Sequence, residues 1–151
     1  MVDVTAKPAT ERTAVAHAFV RIGAKALGAI RRLRSPKGSP LEVARIAGIV
    51  AAKRTSELIP LCHPLPITHA DVEARMRKGG IEITSRVTTT APTGVEMEAL
   101  TAASVAALTV YDMTKALDRG MEITELYLVE KRGGRSGHYR RAGKSKRPMR
   151  R

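Results

Sequence analysis

Thirteen consecutive residues without a charge, Ala99 to Tyr111, lie inside a stretch with no proline and no glycine after Gly94. Thr93 to Lys115 reads as one helix, because Ala and Leu are strong helix formers and Thr93-Gly94 suits a helix start. A helix so apolar through its middle is expected to be buried on nearly every side, so the rest of the chain must wrap it. Its charges stand at its two ends. Glu96 and Glu98 fall in the first turn, near the positive end of the helix dipole. Asp112 and Lys115, three residues apart, share a face near the last turn. Glu98 and Asp112 are separated by about 21 Å along the axis and about 40° around it. They share a face but cannot touch the same atom. Either one long ligand spans them or they serve different sites. A helix-end cap and an intrahelical ion pair would account for the same charges with no ligand at all.

With 151 residues, 43% of them hydrophobic, the chain can bury one sizeable core. No run of 18 apolar residues offers a membrane span. The start, Met-Val-Asp-Val-Thr-Ala-Lys, lacks the layout of a secretory leader. The one cysteine, Cys62, permits no intrachain disulfide and fits a reducing compartment. Together these predict a cytoplasmic location. The net charge is +13, but Arg140 to Arg151 holds seven basic residues and no acid. That leaves 20 basic against 14 acidic residues, +6, for the body, a balance suited to a phosphorylated ligand. The chain therefore divides into one domain over residues 1–137 and a basic tail over 138–151, expected to be disordered and to touch nucleic acid only through charge.

Residues 1–12 read as polar and extended. Thr13 to Ile22 reads as a first strand, and residues 23–34 as an amphipathic helix with Ala26, Leu27 and Ile30 inside and Lys25, Arg31 and Arg34 outside. Ser35 to Pro40 is a loop. Ser39 then caps a second helix, with Pro40 at its first position and Glu42 three residues after the cap, running to about Leu58. Its small residues Ala44, Ala47, Gly48, Ala51 and Ala52 form a close-packing stripe. Ile59 to Pro66 is a loop stiffened by three prolines. Ala70, Val72, Ala74 and Met76, then Ile81, Ile83 and Val87, alternate with polar residues around Gly79-Gly80, the pattern of a hairpin. Met121 to Lys131 is a last strand, followed by a basic, glycine-rich segment. With the first two helices merged, the order is β-α-β-β-α-β. That predicts an α+β, ferredoxin-like fold: a four-stranded antiparallel sheet with helices on one face.

Several residues carry chemistry in this arrangement. Asp112 and Lys115, at the edge of a buried helix, can accept and donate protons. His63, held between prolines, can act as acid, base or phosphate contact. Cys62 beside it does not complete a metal site, because no Cys-x-x-Cys or His-x-x-x-His partner is present. Lys37, in Ser-Pro-Lys-Gly-Ser-Pro, and Lys131, before the glycine-rich segment, are lysines that reach anions. An RNA-recognition module is the competing reading of such a sheet with basic charge. It needs stacking aromatics, and the chain has one Phe, three Tyr and no Trp.

The segments 1–7, Ala-Arg-Ile-Ala-Gly-Ile at 44–49, Ala-Ala-Lys-Arg-Thr at 51–55, Leu-Ile-Pro-Leu-Cys-His-Pro-Leu at 58–65, Thr-Gly-Val-Glu-Met-Glu-Ala-Leu-Thr-Ala-Ala-Ser-Val-Ala-Ala-Leu-Thr at 93–109 and Tyr-Asp-Met-Thr-Lys at 111–115 together resemble the cyclic pyranopterin monophosphate synthases. These are the molybdenum cofactor biosynthesis protein C family. The resemblance spans about residues 1–137. It implies a lyase that converts 3′,8-cyclo-7,8-dihydroguanosine 5′-triphosphate into cyclic pyranopterin monophosphate and pyrophosphate. It also implies a hexamer, a trimer of dimers, with sites at subunit interfaces. By the same resemblance Asp112 and Lys115 are catalytic, and Leu61, Cys62, His63, Met97, Glu98, Glu96, Lys37 and Lys131 bind substrate. No cofactor and no metal ligand are implied, although a divalent cation could accompany the phosphates. Ser39 stands where relatives often carry Asp, and the tail matches no family feature. A non-catalytic subunit that keeps the fold is a third reading, against which the intact Asp112–Lys115 pair argues.

Overall fold

The computed structural model describes residues 1–32, 38–135 and 137–142. Arg34, Lys37 and the basic residues beyond Ala142 lie outside them.

Alternation builds the sheet. In β1 (Thr10–Arg21), Ala14, Ala16, Ala18 and Val20 point to one face and are buried. The hairpin of β2 (Ile67–Arg77) and β3 (Gly80–Ala91) sets Val87, Ser85, Ile83 and Ile81 directly beside those four. Ala70, Val72, Ala74 and Met76 come next on the same face. A slip of one residue would turn this whole set to the other side, so burial fixes the register. Between the arms Gly79 adopts φ +83, a conformation that L side chains rarely take. On the far edge of β1 lies β4 (Glu122–Arg132), and outside it β5 (Tyr139–Arg140). The order is β2-β3-β1-β4-β5, and every neighbouring pair is antiparallel.

The sheet thus has five strands rather than the expected four. The fifth falls in a stretch that composition marks as tail. It is a strand because β4 offers an open edge, a feature the period of its own two residues does not reveal. β1 begins at Thr10 rather than Thr13, since Glu11 and Arg12 continue the ladder with Thr90 and Thr89.

The helices α1 (Ala24–Arg32), α2 (Pro40–Lys53) and α4 (Glu96–Thr114) share one core with the apolar face of the sheet, and the short α3 (Thr55–Leu58) lies beside α4. α4 is pinned to the sheet where the Ser85 hydroxyl donates to the Ala99 carbonyl at 2.6 Å. α2 lies along α4 through the small stripe: Ala44, Gly48, Ala51 and Ala52 are buried. A Cβ on Gly48 would sit 2.9 Å from the Ala102 carbonyl and 3.0 Å from Val72 Cγ2. Three expectations are corrected here. The second helix stops at Lys53; Arg54 leaves helical geometry, and α3 restarts at Thr55, whose hydroxyl bonds the Ala51 and Ala52 carbonyls. Ser39 occupies the cap position without a side-chain capping bond, and Glu42 pairs with Arg45 instead. Finally, α4 is not covered on all sides by its own chain. Leu108 is 57% exposed and Met97 is also exposed. Absence of charge does not say which neighbour covers which face.

The Gly48 contact yields a stability prediction. Gly48→Ala gains about 1 kcal/mol of helix propensity but crowds a backbone carbonyl, at a cost of about 1–3 kcal/mol. A net loss of about 1 kcal/mol is expected in denaturant unfolding, and Gly48→Leu should lose far more. An alanine variant more stable than the parent would contradict this packing.

Candidate functional site

The first turn of α4 and the proline loop meet across a cavity of about 410 Å³. The loop is held by the Thr89 hydroxyl, which donates to the Pro66 carbonyl at 2.6 Å, and by Cys62 N donating to the Ile59 carbonyl at 3.1 Å. Leu65 packs on the core and anchors it from below. Leu61, Cys62 and His63 therefore face Glu96, Met97 and Glu98 across the cavity. The structure brings together six of the sequence-predicted residues.

Glu98 is only 4% exposed, and burial pushes its carboxyl above the usual carboxylate range, with nearby Glu96 adding to the effect. Burial and the charge of Glu98 likewise push the Cys62 thiol up, so it is a poor nucleophile here. Glu96 folds back over the backbone at Gly94, where a Cβ would lie 1.9 Å from its carboxylate. This keeps Glu96 Oε1 2.8 Å from Lys131 Nζ, with both side chains 29% exposed. Any side chain at residue 94 would displace that carboxylate.

Glu96 and Lys131 also line a larger, basic cavity of about 930 Å³, together with Lys7, Arg12 and Arg135. The two cavities share Lys7, Thr93, Gly94 and Glu96. Arg12 is fixed by donating Nε to the Ala91 carbonyl and Nη2 to the Pro92 carbonyl, at 2.9 and 3.1 Å. Sequence reasoning missed Lys7 and Arg12 as site residues, while Arg135 falls in the basic, glycine-rich segment after Lys131, whose basic side chains suit an anion. Lys7 had a signal, since it ends the Met1–Lys7 segment. Arg12 had none, because its partners lie some 80 residues away.

Asp112 and Lys115 line neither cavity. They stand at the other end of α4, 62% exposed each, with Lys115 Nζ donating to Asp112 Oδ1 at 2.7 Å. That hydrogen bond, with the charge of Asp112, raises the Lys115 pKa and keeps it an ammonium. Lys37 lies outside the described residues. Among the described residues no group of three or more His, Cys, Asp or Glu side chains is placed to hold a metal ion, and no helix is long and apolar enough to cross a membrane.

On the open face of the sheet, Tyr127 is already stacked on His17 at 5.0 Å and covered by the Arg141 guanidinium at 4.4 Å. That leaves no free aromatic platform on β4 for bases. The fold is α+β, and the site is a pair of adjoining cavities, one polar and one lined by four cations. The chain belongs to the MoaC family, whose model matches residues 1–134. It is 58% identical over 143 residues to a cyclic pyranopterin monophosphate synthase of Thermomicrobium roseum, covering 93% of this chain and 86% of that protein. It is 51% identical over 148 residues to one of Deinococcus radiodurans, covering 98% and 88%. It is 52% identical over 141 residues to one of Listeria monocytogenes, covering 93% and 88%.

The raised Glu98 carboxyl sets a sign for pH dependence. The folded chain holds this proton more tightly than the unfolded chain. The stabilisation is therefore full below the usual carboxylate range and is lost as pH rises through the raised value. Glu98→Gln should melt above the parent at about pH 7.5 and level with it at about pH 4. Equal melting temperatures at both pH values would show that the Glu98 carboxylate is solvated rather than buried.

Proposed function

We propose that this chain is a lyase of molybdenum cofactor synthesis. It converts 3′,8-cyclo-7,8-dihydroguanosine 5′-triphosphate into cyclic pyranopterin monophosphate with release of pyrophosphate. One observation carries the reading: a cavity with a buried carboxylate and an imidazole opens beside a cavity lined by four cations, and Glu96 stands between them. The bicyclic end of a nucleotide fits the first and its triphosphate the second. The names of the relatives, shared across nearly the whole chain, support the same reaction.

In this reading Lys7, Arg12, Lys131 and Arg135 bind the phosphates and stabilise the departing pyrophosphate. His63 and Glu98 hold the ring system, with Leu61, Cys62 and Met97 shaping the wall. Lys37 is a further substrate contact by the family resemblance alone. Asp112 accepts and Lys115 donates a proton in the ring rearrangement. The chemistry needs no cofactor of the chain's own, and a divalent cation would enter with the phosphates.

Asp112 and Lys115 reach the reacting centre from a second subunit, because α4 holds them about 21 Å from Glu98 of their own chain. The exposed apolar surface supports such an assembly. Leu58, Met97, Leu126 and neighbours line a groove of about 490 Å³, and Leu108, Ile46 and Val50 are exposed as well. A hexamer, a trimer of dimers, would cover it, and we place the enzyme in the cytoplasm. The order β4-β1-β3-β2 of the four long strands supports the ferredoxin-like reading, with β5 an added edge.

Asp112→Asn should lower turnover of the cyclised dihydro-GTP by at least about 10²-fold. It should change stability by less than about 1 kcal/mol, since the exposed ion pair is worth little. Normal turnover by the folded variant would remove Asp112 from the mechanism. Lys131→Ala should raise KM by about tenfold or more with a smaller change in kcat, as loss of a charge-assisted phosphate contact does. An unchanged KM would place the phosphates elsewhere.

A further inference from the structure

Asp112 belongs to α4 and shares the rigidity of that helix, but Lys115 is the first residue past it. The position of Lys115 therefore depends on what fastens the link from α4 to β4. The two ends of that link are anchored in the core. The Thr114 hydroxyl donates to the Val110 carbonyl at 2.7 Å and lies 3.3 Å from Met121 Sδ, and both residues are buried. Between them Lys115, Ala116, Leu117, Arg119 and Gly120 are exposed, so packing does little to fix them. The Lys115–Asp112 ion pair is exposed too, and such a pair is worth little by itself.

Asp118 supplies the fastening in the middle. Its Oδ1 accepts the Gly120 N–H at 2.8 Å. Its Oδ2 accepts the Gly23 N–H, from a residue 95 positions away, also at 2.8 Å. Gly23 stands between β1 and α1, and that junction is fixed in its turn. Ile22 N donates to the Gly79 carbonyl of the hairpin at 3.0 Å, and Leu27 N to the Gly23 carbonyl at 2.9 Å. α1 has no acid in its first turn. Asp118 thus brings, from another element, the carboxylate that a helix start favours. The approach is close: a Cβ would sit 3.2 Å from Oδ2 at Gly23 and 3.3 Å from Oδ1 at Gly120. The two N–H donors hold the Asp118 carboxyl below its usual range, so it stays ionised.

We propose that Asp118 is a positioning residue. By tying the link after α4 to the β1–α1 junction, it holds Lys115 against Asp112 at the end of the helix without touching the ligand. The proposal rests on the reading of Asp112 and Lys115 as the proton-transfer pair.

The test is Asp118→Asn, whose amide keeps the shape of the carboxylate but turns an NH₂ toward one of the two N–H donors. Turnover of the cyclised nucleotide is measured at a temperature where melting curves show parent and variant fully folded. There kcat should fall about tenfold or more, while KM stays within about twofold, because the cations that hold the phosphates lie at the other end of α4. Asp118→Ala removes both acceptors and should lower kcat at least as far. Amide exchange by NMR reads the fastening itself. Gly23 and Gly120 should be protected in the parent, and at least one should exchange about tenfold faster in Asp118→Asn. An unprotected Gly23 in the parent would overturn the fastening. Faster exchange with the parent's kcat, or a KM that rises in step with the loss of kcat, would overturn the positioning role alone. Parental turnover by Lys115→Ala would instead overturn the reading of the pair, and the positioning role with it.

Discussion

The close approach of α4 to its two neighbours is the constraint on which the other features depend. The Ser85–Ala99 bond ties its backbone to the sheet, and Gly48 lets α2 come within contact of the Ala102 carbonyl. Both contacts require small groups, which is why alanine and glycine dominate this seam. A helix held so tightly along its length is a rigid strut. Its ends cannot move independently, and whatever chemistry they carry is fixed at their separation.

The charged groups follow from that placement. Glu98 is buried because the first turn of α4 enters the core edge beneath the proline loop, and its raised pKa is the electrostatic consequence. Glu96, one turn position away, escapes by folding over Gly94 to meet Lys131. Two carboxylates on one turn thus take different roles, one nearly dry and one paired with a cation. The basic cavity beyond them collects lysines and arginines from the N-terminal segment, β1, β4 and the glycine-rich turn. Glu96 and Asp3 offset part of that positive charge, and the excess that remains suits an anion.

Much of this was legible in the sequence. Period-two alternation found the hairpin to within a few residues, and the small stripe of α2 was readable from its spacing. Leu61, Cys62, His63, Glu96, Met97 and Glu98 were singled out in advance, and they meet at one cavity. What stayed hidden depends on tertiary neighbours. Arg12 looks like any strand arginine until the chain returns at Ala91 and Pro92. β5 exists only because β4 leaves an edge, and the exposed flank of α4 at Leu108 cannot be inferred from an uncharged run. The break at Arg54 hides for a related reason: Thr55 satisfies the carbonyls of Ala51 and Ala52 with its side chain, so the helix ends without a glycine or proline to mark it.

If each active site draws one end of α4 from one subunit and the other end from its neighbour, two inactive variants should rescue each other. Asp112→Asn and His63→Ala subunits, separately inactive, would be unfolded together and refolded as a one-to-one mixture. Random pairing leaves one site in four with both groups intact, so about a quarter of the parent's turnover should return. A mixture as inactive as its components would contradict the shared site and place both ends of the helix at one chain's own centre.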